Sequence, residues 1–171
     1  SRSGREPHKP MSDFRPIRAI DGYLPIEDHA LIGDGSCSAL VARDGSIPWM
    51  CVPRFDSPPI FCRILDKDRG GAFSIHLDGL TEARHYYLDE TGVLVTELRS
   101  ASGLVRITDA LTLRSGSNLN EDVAAGRQEL MRWVEVVRGP VSLRIDIDPW
   151  LGGECERSSG GFQIKCAERP A

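Results

Sequence analysis

Apolar and polar residues alternate along most of this chain, in short runs separated by turn signals. The clearest run covers residues 141–148 (VSLRIDID), in which four apolar residues alternate with four polar ones. Because successive side chains of a β-strand point to opposite faces, this pattern predicts strands with one dry and one wet face. Roughly ten such runs, with no long helical pattern, predict an all-β fold that is either a β-sandwich or a barrel.

One hairpin stands out in this pattern, because it joins an apolar run at 39–42 to a second run at 47–52. Asp44-Gly45 lies between them, and Asp-Gly tolerates positive φ at both central positions of a tight turn. We therefore expect Asp44 to act as a turn former.

A loop with candidate binding residues follows this hairpin. Arg54, Phe55 and Asp56 stand between Pro53 and the Pro58-Pro59 pair. We expect Asp56 to pair with Arg54 or to accept a backbone hydrogen bond. The alternative role for all three residues is a contact with a neighbouring domain or with a sugar.

The three tryptophans have different expected roles. Trp49 is either a platform for the apolar face of a sugar ring or a core residue. Trp133 lies in a strand-like apolar run, and we expect it in the core. Trp150, if exposed, is an interface residue or a binding platform.

Two further carboxylate positions have structural interpretations. Glu27-Asp28-His29 is expected to be a turn with solvated charges, because no second ligand group lies at a spacing typical of a metal site. Asp109 ends the alternating run 104–109 and is expected to make a hydrogen bond at a strand end. We predict no catalytic residue, no metal site and no cofactor.

Length and charge limit the classes of partner. The chain has 171 residues and a net charge of -4, which argues against nucleic acid as the main partner. No apolar run approaches the roughly 20 residues of a membrane helix. Residues 1–15 are expected to be a flexible tail with no signal-peptide core, and residues 16–171 a single domain.

Five cysteines without a Cys-x-x-Cys pair are typical of a protein from a reducing cytoplasm. We expect most of them to be small buried hydrophobic residues, although one disulfide is compatible with the sequence.

Several ordered motifs resemble those of one enzyme family. They are residues 31–35 (LIGDG), 42–47 (ARDGSI) and 53–58 (PRFDSP), with weaker matches at 70–75 and 106–109. Together they resemble the N-terminal region of bacterial glucoamylase- and trehalase-like proteins of glycoside hydrolase family 15. The resemblance runs from about residue 23 to about residue 149, and Pro48 departs from it where the family usually has Asp.

The resemblance favours an antiparallel β-sandwich of two packed sheets over a barrel. It implies an accessory N-terminal domain whose partner is a catalytic barrel of paired helices, (α/α)6, that carries the catalytic glutamates. This chain ends before such a barrel begins, so we expect it to lack that chemistry. The implied substrates of the whole enzyme are an α-glucan or trehalose.

Three functional hypotheses follow. The first is this accessory domain, which predicts an exposed apolar face close to Arg54, Phe55 and Trp49, and allows homodimerisation through that face. The second is a stand-alone carbohydrate-binding module, which needs a groove lined by two or more exposed aromatics. The third is a small independent enzyme, which needs convergent carboxylates in a pocket.

Overall fold

A computed structural model describes residues 13–114 and 125–150, together with the backbone of two later strands. The strands are β1 (Arg15–Pro16), β2 (His29–Gly33), β3 (Ser38–Ala42), β4 (Ser46–Ile47), β5 (Trp49–Cys51), β6 (Pro59–Phe61), β7 (Ala72–Leu77), β8 (Leu80–Tyr87), β9 (Leu94–Ser100), β10 (Leu104–Leu113), β11 (Gly126–Arg138), β12 (Leu143–Asp148), β13 (Glu154–Ser158) and β14 (Gly161–Lys165). The only helix in the described ranges is a single 3-10 turn, Ile26–Asp28. Nothing in those ranges is a helix of the length and apolarity needed to cross a membrane.

The strands form an antiparallel β-sandwich, which confirms the predicted fold class. One layer is a five-stranded sheet in the order β1-β8-β9-β10-β11. Opposite it lie a four-stranded sheet, β2-β3-β5-β6, and a three-stranded sheet, β12-β7-β4. The β13-β14 hairpin forms a sheet of its own.

The core lies between these layers in two clusters. Alternate residues of the five-stranded sheet face inward, as the period of two predicts. Leu94 and Leu111 pack against the four-stranded sheet, whereas Leu98 and Ile107 pack against the three-stranded sheet. Phe73 packs against both clusters, so it lies where the two smaller sheets meet.

The predicted hairpin at 39–52 exists, but its second strand is divided between two sheets. Ser46 and Ile47 pair with β7, whereas Trp49 pairs with Leu40 of β3. Pro48 stands at the division, where its lack of a backbone N–H suits a break in the ladder. Gly45 has a φ of 88°, whereas Asp44 does not have a positive φ. Asp44 instead accepts hydrogen bonds from the Ser46 backbone N–H and hydroxyl, and so forms the turn as expected.

Asp28 is buried, contrary to the prediction of solvated charges. Its carboxylate accepts hydrogen bonds from Arg43 at 2.9 and 2.8 Å, and the Arg43 side chain is also buried. The same guanidinium donates to the backbone carbonyls of Arg15, Pro16 and Ala83. This ion pair therefore connects β3 to β1 and β8 in the opposite layer. The hydrogen bonds from Arg43 hold the pKa of Asp28 below its usual value, although burial opposes them.

The predicted position of Asp109 at a strand end was also wrong, because Asp109 lies inside β10. It is fully buried and pairs with Arg132 of β11, with distances of 2.7 and 3.1 Å. Arg132 further donates to the carbonyls of Phe73 and Gly45 and stacks on the Phe73 ring. A second buried ion pair thus joins the two layers.

Trp133 is the clearest error in the predicted core. It is 66% exposed, because it lies on the outer face of β11, at the edge of the five-stranded sheet.

At the N-terminus, Arg15 and Pro16 pair with β8, so ordered sheet begins at Arg15. Most of the predicted flexible tail, residues 1–12, lies outside the described residues.

Candidate functional site

A row of apolar side chains crosses the outer face of the four-stranded sheet. Leu31 of β2 pairs with Leu40 of β3, and Leu40 pairs with Trp49 of β5. Leu31 is 56% exposed and Trp49 is half-buried. The row forms one side of an open groove of about 290 Å³, which Ser38, Ile64 and Leu65 complete. Ser38 is the one polar residue of this lining.

Leu65 forms a ridge beside the groove and is 76% exposed. The turn that carries it is held by backbone hydrogen bonds from Leu65 N to Cys62 O, at 3.0 Å, and from Ile64 N to Pro48 O, at 3.2 Å. A leucine is therefore presented to solvent on an ordered turn, where it covers no core.

A second concavity, of about 600 Å³, is also lined by Leu65 and contains Trp150. Its lining also includes Asp66, Arg69 and Asp148. Asp66 and Arg69 pair with each other at 3.0 Å. The Trp150 backbone N–H donates to the Ile60 carbonyl at 2.8 Å, which fixes the start of the segment after β12.

Arg54, Phe55 and Asp56 lie together on an exposed loop. Arg54 and Asp56 make two hydrogen bonds, of 2.9 and 3.2 Å, so one of the two expected roles of Asp56 is observed. These bonds lower the pKa of Asp56. Phe55 is 62% exposed, and its N–H donates to the Ser36 carbonyl at 2.8 Å. The loop therefore lies against the β2–β3 connection, two residues from Ser38 in the groove.

Two of the sequence-predicted candidates are connected through Leu65. Trp49 and Trp150 line two concavities that share Leu65, and the Phe55 loop contacts the connection next to Ser38. Sequence reasoning missed Leu31, Leu40 and Leu65. Residues 39–42 are apolar throughout, so alternation does not show which of them faces outward.

The outer face of the five-stranded sheet is a second exposed surface, and it has a different character. Trp133 and Met131 are exposed there, but a cross-strand row of alternating charges runs beside them. Glu97 pairs with Arg84 and Arg106, and Arg106 also pairs with Glu135.

The carboxylates that are buried in the described ranges all have structural partners. Asp34 accepts backbone hydrogen bonds from Ser36, Cys37 and Gln128, at 2.8 to 2.9 Å. Burial alone would raise the pKa of Asp34, but these bonds outweigh it and hold the pKa below its usual value.

The thiols are equally poor candidates for chemistry. Cys37, Cys51 and Cys62 are free and buried, as expected, while Cys155 and Cys166 are not among the residues whose side chains are described. Burial, reinforced by Asp34, raises the pKa of Cys37 to about 11. Such a thiol is a weak nucleophile at neutral pH. Within the described ranges, no cluster of three His, Cys, Asp or Glu side chains is arranged to hold a metal ion.

The family model for the trehalase-like N-terminal domain matches residues 20–151 of this chain. That range covers most of the described sandwich, from the Ile20–Tyr23 bridge through β12. The chain belongs to this family.

Relatives of this trehalase-like N-terminal domain are named as trehalases. The trehalase of Thermoplasma volcanium is 34% identical over 133 residues, which are 76% of this chain and 20% of the relative. That of Mycobacterium tuberculosis is 29% identical over 83% of this chain and 22% of the relative. Trehalase 1 of Sulfolobus acidocaldarius is 41% identical over 53% of this chain and 16% of the relative.

The trehalase-like N-terminal domain thus spans about a fifth of the length of the curated relatives it matches. No solved structure matches it significantly.

Proposed function

We propose that this trehalase-like N-terminal domain is non-catalytic and packs against the catalytic part of a trehalase-type glycoside hydrolase. The observation that carries the proposal is the apolar groove of Leu31, Leu40 and Trp49 with the exposed Leu65 beside it. Contiguous exposed apolar surface marks sites of protein association. The whole enzyme would hydrolyse the α-glucosidic bond of trehalose or of an α-glucan.

Burial of this face supplies the driving force for packing. Fully burying a leucine is worth roughly 1.5–3 kcal/mol, and Leu31 and Leu65 are both mainly exposed in this domain. Their supporting backbone is ordered by strand pairing and by the turn at 62–66, so little conformational entropy is lost when a partner covers them.

The Trp133 face is less suited to the same role. A partner covering it would have to desolvate the Arg84–Glu97–Arg106–Glu135 row, whose members already satisfy one another. Desolvating charged groups costs free energy that apolar contact must first offset.

A non-catalytic role is consistent with the interactions of the buried carboxylates. Glycoside hydrolysis needs two carboxyl groups across one bond, roughly 5 Å apart for retention or 6.5–9.5 Å apart for inversion. Asp28, Asp109 and Glu97 are committed to arginines, and Asp34 is committed to backbone amides.

The same proposal includes the finer assignments. We place the parent enzyme in glycoside hydrolase family 15, with a helical catalytic barrel of glucoamylase-like or trehalase-like type, and in the cytoplasm. The buried free cysteines are compatible with a reducing compartment.

The stand-alone carbohydrate-binding module has less support. It needs two or more exposed aromatics in one groove, and each described concavity beside Leu65 contains a single tryptophan.

A chimera tests the proposal. This chain replaces the matching first fifth of the Thermoplasma volcanium trehalase, and trehalose hydrolysis and melting temperature are measured for the wild-type chimera and for a Leu65→Asp version. We expect Leu65→Asp to lower both, because a carboxylate would be buried at the packing face. Leu113→Asp is the matched control, since Leu113 is 56% exposed and lies on the other layer.

Two results would contradict the proposal. One is a Leu65→Asp chimera as active and as stable as the wild-type chimera. The other is release of glucose from trehalose by this chain alone.

A further inference from the structure

A small pocket lies between the N-terminal segment, the Asp44-Gly45 turn and the segment after β6. Its volume is about 120 Å³. An engineered cavity of roughly 150 Å³ holds a benzene molecule, so this pocket has room for most of one six-membered ring. It opens to solvent, and a substituted ring would extend out of its mouth.

The lining combines an apolar wall with a few polar groups. The apolar residues are Ile17, Ala19, Leu24, Ala42, Pro48 and Ile64. The polar residues are Tyr23, His29, Asp44, Ser46 and Arg63. A mainly apolar concavity with a small number of placed polar groups is the usual composition of a small-molecule site.

Arg63 is the polar group that the fold itself does not explain. Its side chain is half-buried, and its guanidinium makes no hydrogen bond or ion pair with the described residues. Buried arginines are normally paired, as Arg43 and Arg132 are in this domain. The five N–H donors of Arg63 are therefore available to a ligand in the pocket.

Two acceptors complement this donor. Asp44 uses its Oδ1 atom for Ser46, and its Oδ2 atom has no hydrogen bond within the described structure. His29 Nδ1 lies 3.0 Å from the Pro25 carbonyl and must donate to it, so Nε2 of the neutral ring is an acceptor. The pocket thus presents both donors and acceptors.

The charges of the lining disfavour a ligand with a net charge. One guanidinium and one carboxylate line the pocket, so their formal charges cancel. An anion would meet the Asp44 carboxylate, and an amine would meet the Arg63 guanidinium. A neutral ring with several hydroxyl groups satisfies both, because each hydroxyl can donate and accept, while its C–H face packs on the apolar wall.

We infer that this pocket is a binding site for a single neutral sugar ring. Ile64 lines both this pocket and the groove of the proposed packing face, so the site lies at the edge of that face. The inference stands on this chain's own residues and does not require the packing partner.

Titration of this chain with D-glucose, trehalose and inorganic phosphate tests the inference, with amide shifts followed by NMR. We expect saturable shifts with both sugars, in the millimolar range usual for such small ligands, confined to residues around 42–48 and 63–64. Phosphate is expected to produce none of these shifts.

Arg63→Met removes the donors and keeps the length of the side chain. We expect it to weaken sugar binding at least about tenfold, while Arg18→Met, a nearby exposed arginine outside the pocket, changes binding by less than about twofold. Asp44→Asn keeps an acceptor for the turn and removes the negative charge, so this variant is expected to gain phosphate binding.

Three outcomes would overturn the inference. They are the absence of saturable shifts with either sugar, equal binding by the Arg63→Met variant, and tighter binding of phosphate than of glucose by the wild-type chain. Because the measurement uses the isolated domain, none of them bears on the chimera experiment.

Discussion

At the scale of single residues, Arg43 makes the most connections between the two layers. Its guanidinium donates five hydrogen bonds, two to Asp28 and three to the backbone carbonyls of Arg15, Pro16 and Ala83. Each of these acceptors would lose a hydrogen bond if the guanidinium were removed, and Asp28 would keep only the one from Arg15. This buried network gives Arg43 a structural role.

Arg43→Met is therefore expected to destabilise the domain by about 3–5 kcal/mol, because it removes the buried counter-charge of Asp28 and leaves only the more exposed Arg15, at 3.1 Å. Urea unfolding followed by tryptophan fluorescence measures the change. Arg54→Met is the control, since the Arg54–Asp56 pair is exposed and its loss is expected to leave the urea midpoint unchanged. Equal midpoints for Arg43→Met and wild type would show that the network adds no stability.

Asp34 makes stability depend on pH. Its pKa and that of Asp28 are lowered from 3.8 in the folded state. A carboxyl group whose folded pKa is depressed stabilises the fold above its unfolded pKa and loses that contribution as the pH falls through the folded value. We expect the contribution of these two carboxylates to the free energy of unfolding to be level near neutral pH and to fall below about pH 4.

Asp34→Asn isolates the contribution of one carboxylate. The variant keeps an acceptor but loses the charge that the three amides bind, so we expect a loss of about 1–2 kcal/mol at pH 6. Between pH 6 and pH 3 its urea midpoint should fall less than that of the wild type. A variant with the same acid dependence as the wild type would contradict this assignment.

At the scale of elements, the turn between β3 and β4 is a crowded connection. Gly45 has a φ of 88°, and a Cβ atom there would lie 2.9 Å from the Ile75 carbonyl oxygen and 3.1 Å from Ile107. The Gly45 carbonyl also accepts a hydrogen bond from Arg132. The turn is therefore held from both layers and has no space for a side chain.

Gly45→Ala is expected to lower the free energy of unfolding by at least about 1 kcal/mol more than Gly35→Ala does. Both variants are strained by positive φ, and Gly45→Ala also overpacks the turn. Gly35 is the matched control: its φ is 85°, and no heavy atom lies within 4 Å of the added Cβ. Thermal unfolding of the two variants compares them. Equal losses would show that backbone strain alone accounts for the effect.

Several elements could be predicted from local pattern. β10 and β12 fall where the alternating runs 104–109 and 141–148 indicate strands, because the period of two is a property of neighbouring residues. The division of the 46–51 run between two sheets could not be predicted, since it depends on β7, which follows more than twenty residues later.

At the scale of the whole molecule, the exposed groove predicts self-association when no catalytic part covers it. We expect a concentration-dependent homodimer of this chain, measured by light scattering after size-exclusion chromatography. Leu65→Asp should shift the chain to a monomer, and Leu113→Asp should not. A wild-type monomer at high concentration would contradict this prediction.

The candidate site was predicted only in part, and for a physical reason. Trp49 and Trp150 were chosen by chemistry, and each lines a concavity that Leu65 also lines. The leucines of that face were not chosen, because an exposed leucine and a core leucine are identical in sequence.

Local sequence patterns and motifs were enough to predict three features of this protein. They are the order of short strands and turns, the all-β class and the family resemblance. Which charged side chains are buried, and which apolar ones are exposed, depends on which strands pack together, and those strands are far apart in the sequence. Asp109 meets Arg132 across 23 residues of sequence, and Trp133 faces solvent because β11 is an edge strand. Burial depends on how the two layers pack, so it cannot be predicted from a short segment of sequence.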